Sequence, residues 1–190
     1  MPPRTDPDSD EGLLARYAAG EALAARLLID RLAPRILRLV GRLLDDPAEA
    51  EDVTQEAMLR LWQIAPRWQA GVAQPATWVY RVAVNLATDR LRRRRGVALD
   101  TIAEPPHPGT PPLEGMIAGE RVQALNAALQ ALPERQRIAV VLRHIEGLSN
   151  PEIAVALDVG VEAVESLTAR GKKRLAELLL ARRAELGFET

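Results

Sequence analysis

The stretch from Leu148 to Leu180, LSNPEIAVALDVGVEAVESLTARGKKRLAELLL, constrains this chain more than any other. Ser149 followed three residues later by Glu152 is a capping box, and Pro151 falls in the first turn, where a missing N–H is tolerated. Ile153, Ala154 and Leu157 give the helix that follows an apolar face. Asp158, Val159 and Gly160 are short enough to be a turn. Val161, Val164, Thr168, Gly171, Leu175 and Leu178 then recur at helical spacing, a row that docks the second helix on the first. Glu165, Ser166, Ala169, Arg170 and Lys173 share the opposite side. This pattern fits a helix-turn-helix that reads duplex DNA. It fits equally an ordinary helical hairpin with a solvated face.

The rest of the chain is also helical in period. Met1 to Ser9 carries three prolines and no apolar pattern, and reads as a loose arm over 1–9. Leu13, Leu14 and Tyr17 begin a helix that Gly20 breaks. Glu21 to Leu44 is a second helical run, which Pro34 is expected to kink or divide. Its apolar residues read as a core stripe. Asp46-Pro47-Ala48-Glu49 is a strong helix start. The helix it opens should reach about Ile64, with Ala50, Val53, Ala57, Met58, Leu61 and Ile64 buried. Its other side carries Asp52, Gln55, Glu56, Leu59, Trp62 and Gln63. Large apolar residues among acids fit a partner surface, or packing on another helix of the same domain. No Lys or Arg interrupts the acids from Asp45 to Glu56.

Pro66 to Pro75 is a loop by its Pro and Gly. A long helix follows from Ala76 to about Arg95, with Val79, Val82, Ala83 and Leu86 on its buried face. Thr77, Arg81, Val84, Asn85, Thr88 and Arg92 lie opposite. Arg81, Arg90 and Arg92 to Arg95 face the single acid Asp89 in this stretch. Cations favour helix C-termini, but four consecutive arginines exceed what a cap needs. Arg, Thr and Asn on one face can hold phosphates and read base edges. Trp68, Trp78 and Tyr80 are possible stacking rings nearby. Trp78 taken alone fits the core better.

Gly96 to Gly115 loses all periodicity and carries five prolines. It reads as a linker over 96–115, spanning roughly 25 to 60 Å between the coil and polyproline limits. The fold class is therefore all-α: a helical bundle over 10–95 and a helix-turn-helix domain over 116–187. Met116 to Leu132 should be one helix, and Pro133 opens another that ends at Gly147. The linker's composition predicts no fixed packing, and so several mutual orientations of the two domains.

Some functions are excluded. The chain has no cysteine, so disulfide, thiolate and Cys-ligated zinc chemistry are out. His107 and His144 have no ligand cluster at metal spacing, so no metal is expected. No Walker loop, dinucleotide fingerprint, nucleophile elbow or HExxH occurs, so no catalytic residue and no cofactor is expected. No apolar run approaches the ~20 residues of a membrane span. No signal peptide opens the chain, which makes the cytoplasm the default location. The net charge is −1, so only its distribution can attract a polyanion.

Three segments together resemble one family: DPAEAEDVTQEAMLRLW, ATWVYRVAVNLATDRLRRRR and LPERQRIAVVLRHIEGLSNPEIAVAL. In this order they are similar to the extracytoplasmic-function (ECF) sigma factors of the sigma-70 family, over nearly all of Asp10 to Leu186. The resemblance implies a two-domain initiation factor for bacterial RNA polymerase, commonly held inactive by an anti-sigma factor. Its first domain would bind core polymerase through Asp52, Gln55, Glu56, Leu59 and Trp62. It would capture the melted −10 element with the Trp68 to Gln74 loop and Thr77, Arg81, Asn85, Thr88 and Arg92. Its second domain would bind the −35 duplex through Ser166, Arg170 and Lys173, with Glu165 beside them. Glu165 departs from the family, where Lys or Arg is frequent. A carboxylate can accept from cytosine but repels phosphate.

Overall fold

The computed structural model describes residues 6–44, 46–98 and 116–181, with side chains given for 6–44, 46–94 and 122–180. Among these residues the chain forms eight α-helices and no strand. They are α1 (Asp10–Ala18), α2 (Ala22–Leu43), α3 (Pro47–Ile64), α4 (Pro75–Ala98), α5 (Met116–Gln130), α6 (Glu134–His144), α7 (Asn150–Leu157) and α8 (Val161–Ala181). A short 3₁₀ turn, Ala65–Arg67, follows α3. No helix among the described residues is long and apolar enough to cross a membrane.

The caps are where the sequence places them. Asp46 accepts from the N–H groups of Ala48 and Glu49 at 2.9 and 3.2 Å and starts α3. Ser149 and Glu152 form the capping box of α7, with the Glu152 carboxylate 2.8 Å from the Ser149 N–H. Asp158 takes the left-handed conformation after α7 at φ 53°, which a short polar side chain tolerates.

Two local expectations change. Within the expected arm, Asp6 to Ser9 form a hydrogen-bonded turn. Ser9 Oγ donates to the Asp6 carbonyl at 2.6 Å and accepts from the Gly12 N–H at 3.0 Å. Arg31 of α2 donates to the Asp8 carbonyl at 2.6 Å. Gly12 permits the turn to close, since a Cβ there would run into the Asp6 and Pro7 backbone. Pro34 does not divide α2. A proline inside a helix costs about 3 kcal/mol. Leu28, Leu32, Ile36 and Leu39 are fully buried on either side of it. Each such side chain contributes about 1.5–3 kcal/mol, so burial holds the helix together.

The first helical body stacks α1, α2 and α3 against one side of α4. The second is α5 to α8, in which α8 packs on α6 as well as on α7. Gly171 makes that approach possible. A Cβ there would stand 2.6 Å from Val140 Cγ2 and 3.0 Å from the Gln136 carbonyl. Helix propensity alone would favour Gly171→Ala by about 1 kcal/mol. Overpacking costs about 1–3 kcal/mol and should win. The expected result is a melting midpoint lowered by about 2–4 °C per net kcal/mol. A raised midpoint in a thermal scan would mean that α6 and α8 do not close on Gly171.

The expected linker over 96–115 falls largely outside the described residues. The bodies it joins are packed against each other, through α4 with α7 and α2 with α6. Their buried apolar residues form one continuous core.

Candidate nucleic-acid and partner interfaces

The face expected on α3 opens onto a groove shared with α2. Leu59 is 58% exposed and Ile29 of α2 is 43% exposed. Together with Ala33, Thr54, Gln55, Met58 and Trp62 they line a cleft of about 300 Å³. A second cleft of about 280 Å³, lined by Leu37, Gly41, Leu44, Pro47 and Ala50, lies between the same two helices beside Asp46 and Glu51. Asp52 and Gln55 are exposed, and Glu56 is half-buried and paired with Arg60. Trp62 divides its surface: it lines the cleft and packs on Tyr17, with ring centroids 4.6 Å apart. The α2 wall is missing from the sequence reading. Ile29, Ala33, Leu37 and Gly41 do recur every fourth residue, one step round from the buried Leu28, Leu32, Ile36 stripe.

The two charge blocks of the sequence meet. Arg94 of α4 lies 3.3 Å from Asp46 and 2.9 Å from Glu49. Arg90 lies 3.7 Å from Asp52 and donates to the Glu49 carbonyl at 3.3 Å. Acid on α3 and base on α4 therefore offset each other along the α3–α4 seam. Arg92 pairs with Asp89 on its own helix at 2.9 Å.

Arg81, Asn85 and Arg92 stand exposed on α4, and Thr88 is half-exposed. Thr77 is not on that open surface. It is 8% exposed, and its hydroxyl donates to Glu152 of α7 at 3.3 Å. Val84, expected on the open side, is buried, as is Tyr80. The reason is tertiary: α7 covers this edge of α4, which a single-helix wheel cannot show. Tyr80 is therefore no stacking platform. Its hydroxyl donates to Glu146 at 3.0 Å. Burial, with the Glu146 charge beside it, pushes the phenol well above its usual range and keeps it a donor. Glu152 is held below the usual carboxylate range, first by the Ser149 hydroxyl and backbone N–H, with Thr77 adding to them.

The loop before α4 is braced by α1. Glu11 of α1 accepts from the Trp68 indole at 3.4 Å and from the Gly71 N–H at 2.7 Å. Gly71 has φ +80°, a conformation that glycine adopts freely. Trp68 is half-buried, edge-on to Trp78 at 6.1 Å. One ring edge is thus committed to the fold.

On α8 the four expected residues, Glu165, Ser166, Arg170 and Lys173, are all exposed or partly so on the side away from the body. Arg170 Nε donates to the Ser166 carbonyl at 3.2 Å, and Asn150 at the start of α7 reaches Glu165 at 3.5 Å. Behind them Val164 and Gly171 are buried against the body.

Comparison with known proteins decides what this architecture is. Residues 28–97 match the family model of Sigma-70 region 2, and residues 122–175 match that of Sigma-70, region 4. The ECF RNA polymerase sigma factor SigM of Mycobacterium tuberculosis is 36% identical over 183 residues, covering 90% of this chain and 85% of that protein. This chain belongs to the ECF sigma factors of the sigma-70 family.

Other relatives agree. The RNA polymerase sigma-H factor of Pseudomonas aeruginosa is 31% identical over 183 residues, covering 90% of this sigma factor and 94% of that one. The ECF RNA polymerase sigma factor SigE of Mycolicibacterium smegmatis is 35% identical over 167 residues; the match takes 83% of this sigma factor but 62%, less than two thirds, of that protein. Among solved structures, CnrH in complex with the cytosolic domain of CnrY superposes with a TM-score of 0.68 at 25% identity, over 92% of this chain and 99% of that one. The first body of the ECF sigma factor thus holds the region 2 match and the second the region 4 match.

Proposed function

We propose that this sigma factor holds core RNA polymerase in the α2–α3 groove, takes the melted −10 strand on the exposed side of α4, and reads the −35 duplex with α8. The observation that carries the reading is a separation of chemistries. Apolar side chains with acids are exposed on one pair of helices, Arg with Asn on another, and Arg, Lys and Ser on a helix-turn-helix. A partner groove, a single strand and a duplex each ask for one of these. The chain supplies no catalytic group in this scheme; the polymerase makes the RNA. An anti-sigma factor, as the family implies, controls it in the cytoplasm.

Run-off transcription with purified core polymerase on genomic fragments tests the whole reading. Discrete transcripts that need the chain are expected, and their absence on every fragment would end it. The α4 assignment is tested separately. Arg81 and Asn85 lie one turn apart on the exposed side, so Arg81→Ala and Asn85→Ala should bind core normally and open promoters poorly. Permanganate reactivity of bubble thymines should fall about tenfold for a lost contact of about 1.4 kcal/mol. Wild-type reactivity in both variants would make this a merely solvated face.

A further inference from the structure

Glu11 has no part in these three surfaces, and it lies ahead of residues 28–97, which the Sigma-70 region 2 model matches. It stands in the first turn of α1, where a carboxylate favours the helix. The next three residues, Gly12, Leu13 and Leu14, are buried, so this end of α1 is seated on the first body. One oxygen of Glu11 accepts twice from the loop before α4: from the Trp68 indole at 3.4 Å and from the Gly71 N–H at 2.7 Å. A hydrogen bond to an ionised acceptor is roughly twice as strong as a neutral one. Around the second donor the Val72 N–H reaches the Gln69 carbonyl at 3.4 Å, which makes Gln69 to Val72 a β-turn. Gly71 is its third residue, and its φ of +80° is what a type II turn requires there. The turn leaves Gln69, Ala70 and Val72 exposed, Val72 at 75%.

We propose that Glu11 is a positioning residue for the −10 strand: from α1 it sets the shape in which the Trp68 to Gln74 loop meets a base. The proposal rests on the reading of that loop and α4 as the −10 surface. Glu11 does not touch the strand in this scheme. Its oxygen is taken by two loop donors three residues apart, and so it draws both onto α1. A loop already held in its bound shape loses little conformational freedom on binding. The turn then offers the same groups each time. These are the amides of Gln69 and Gln74, which can both donate to and accept from a base edge, beside the apolar Val72. Discrimination between bases is a difference of affinities. A loop of one shape keeps that difference, and a loop of many shapes averages it away. A brace that served only the fold would instead cost every promoter alike.

Gly71 is exposed yet its N–H is bonded, so hydrogen exchange at this amide, followed by NMR in the full chain, reports the brace. Exchange should quicken at least about tenfold in Glu11→Ala. Glu11→Asp keeps the charge in the first turn of α1 and draws the oxygen back by one methylene. It should show the same loss of protection even if Glu11→Ala fails to fold by circular dichroism. Glu11→Gln keeps an acceptor at full length and should restore most of the protection. Transcription with core polymerase across a randomised −10 library reads the consequence. At one −10 position the preference for the best base should fall about tenfold in Glu11→Ala and Glu11→Asp, and return in Glu11→Gln. Core affinity and −35 preference should stay at their wild-type values. Unchanged Gly71 exchange in both the alanine and the aspartate variant would overturn the brace. Quickened exchange with wild-type −10 preferences, or with a loss of yield spread evenly over all −10 sequences, would overturn the positioning role. If Arg81→Ala and Asn85→Ala open promoters like wild type, the −10 reading itself fails, and the proposal fails with it.

Discussion

Leu59→Glu is expected to remove most of the sigma factor's hold on core polymerase. Leu59 lines the larger of the two clefts together with Ile29 and Trp62 and is 58% exposed. Truncating an interface hot spot costs about 2 kcal/mol or more, close to 30-fold in affinity. A carboxylate in the same place adds an unpaired charge to be desolvated. The dissociation constant for core should therefore rise by at least about 30-fold. Helix content should not change, because Leu59 leaves the core intact. Ile29→Glu should do the same from the other wall. Gln123→Glu, exposed on α5 and outside the cleft lining, is the control. Titration of labelled chain with core measures all three; wild-type affinity in both groove variants would mean the polymerase is held elsewhere.

The second large effect belongs to α8. Arg170 is exposed on the side away from Val164 and Gly171 and can reach a guanine edge or a phosphate. Losing a base contact should cost about 1–3 kcal/mol and relax preference at one position. Losing a phosphate contact should weaken binding evenly and flatten its salt dependence. Arg170→Ala should thus cut transcription from promoters that depend on the −35 element by about 5- to 150-fold. Glu165 is tethered by Asn150 near the helix start. Glu165→Lys should raise affinity for unrelated DNA and blur the −35 preference, because a carboxylate that excludes phosphate becomes a cation that welcomes it. Transcription across a randomised −35 library reads both. Wild-type base preferences and yields in both variants would remove α8 from promoter reading.

Where the sequence was legible, the deciding chemistry was local. Asp46-Pro47 and Ser149-Glu152 are caps whose partners lie within three residues, so they could be read before any packing was known. On α8 the period holds in part: Val164 and Gly171 of the expected row are buried, whereas Val161 at its start is exposed. Where the reading fell short, the answer lay on another helix. Pro34 does not divide α2, because burial along the helix outweighs its cost. Ile29 and Leu37 look like spare members of a core stripe until α3 leaves them uncovered. Thr77 and Val84 sit on what a helical wheel makes the open side of α4, yet both are buried, Thr77 against Glu152 of α7. Arg90 and Arg94 read as part of a basic patch, yet the acids of the preceding helix and its cap claim them.

That last pairing bears on how the proposed −10 interaction should answer to ionic strength. Single-strand binding loses about 0.7 in the slope of log affinity against log salt for each phosphate neutralised. An arginine already held by a carboxylate brings its own counterion and displaces none. Among the described side chains, with Arg90 and Arg94 occupied by Asp52, Asp46 and Glu49 and Arg92 paired with Asp89, the exchange of ions at α4 is left mainly to Arg81 and Arg93. On the proposed reading of α4, strand capture should lose less affinity with added salt than the run of arginines implies.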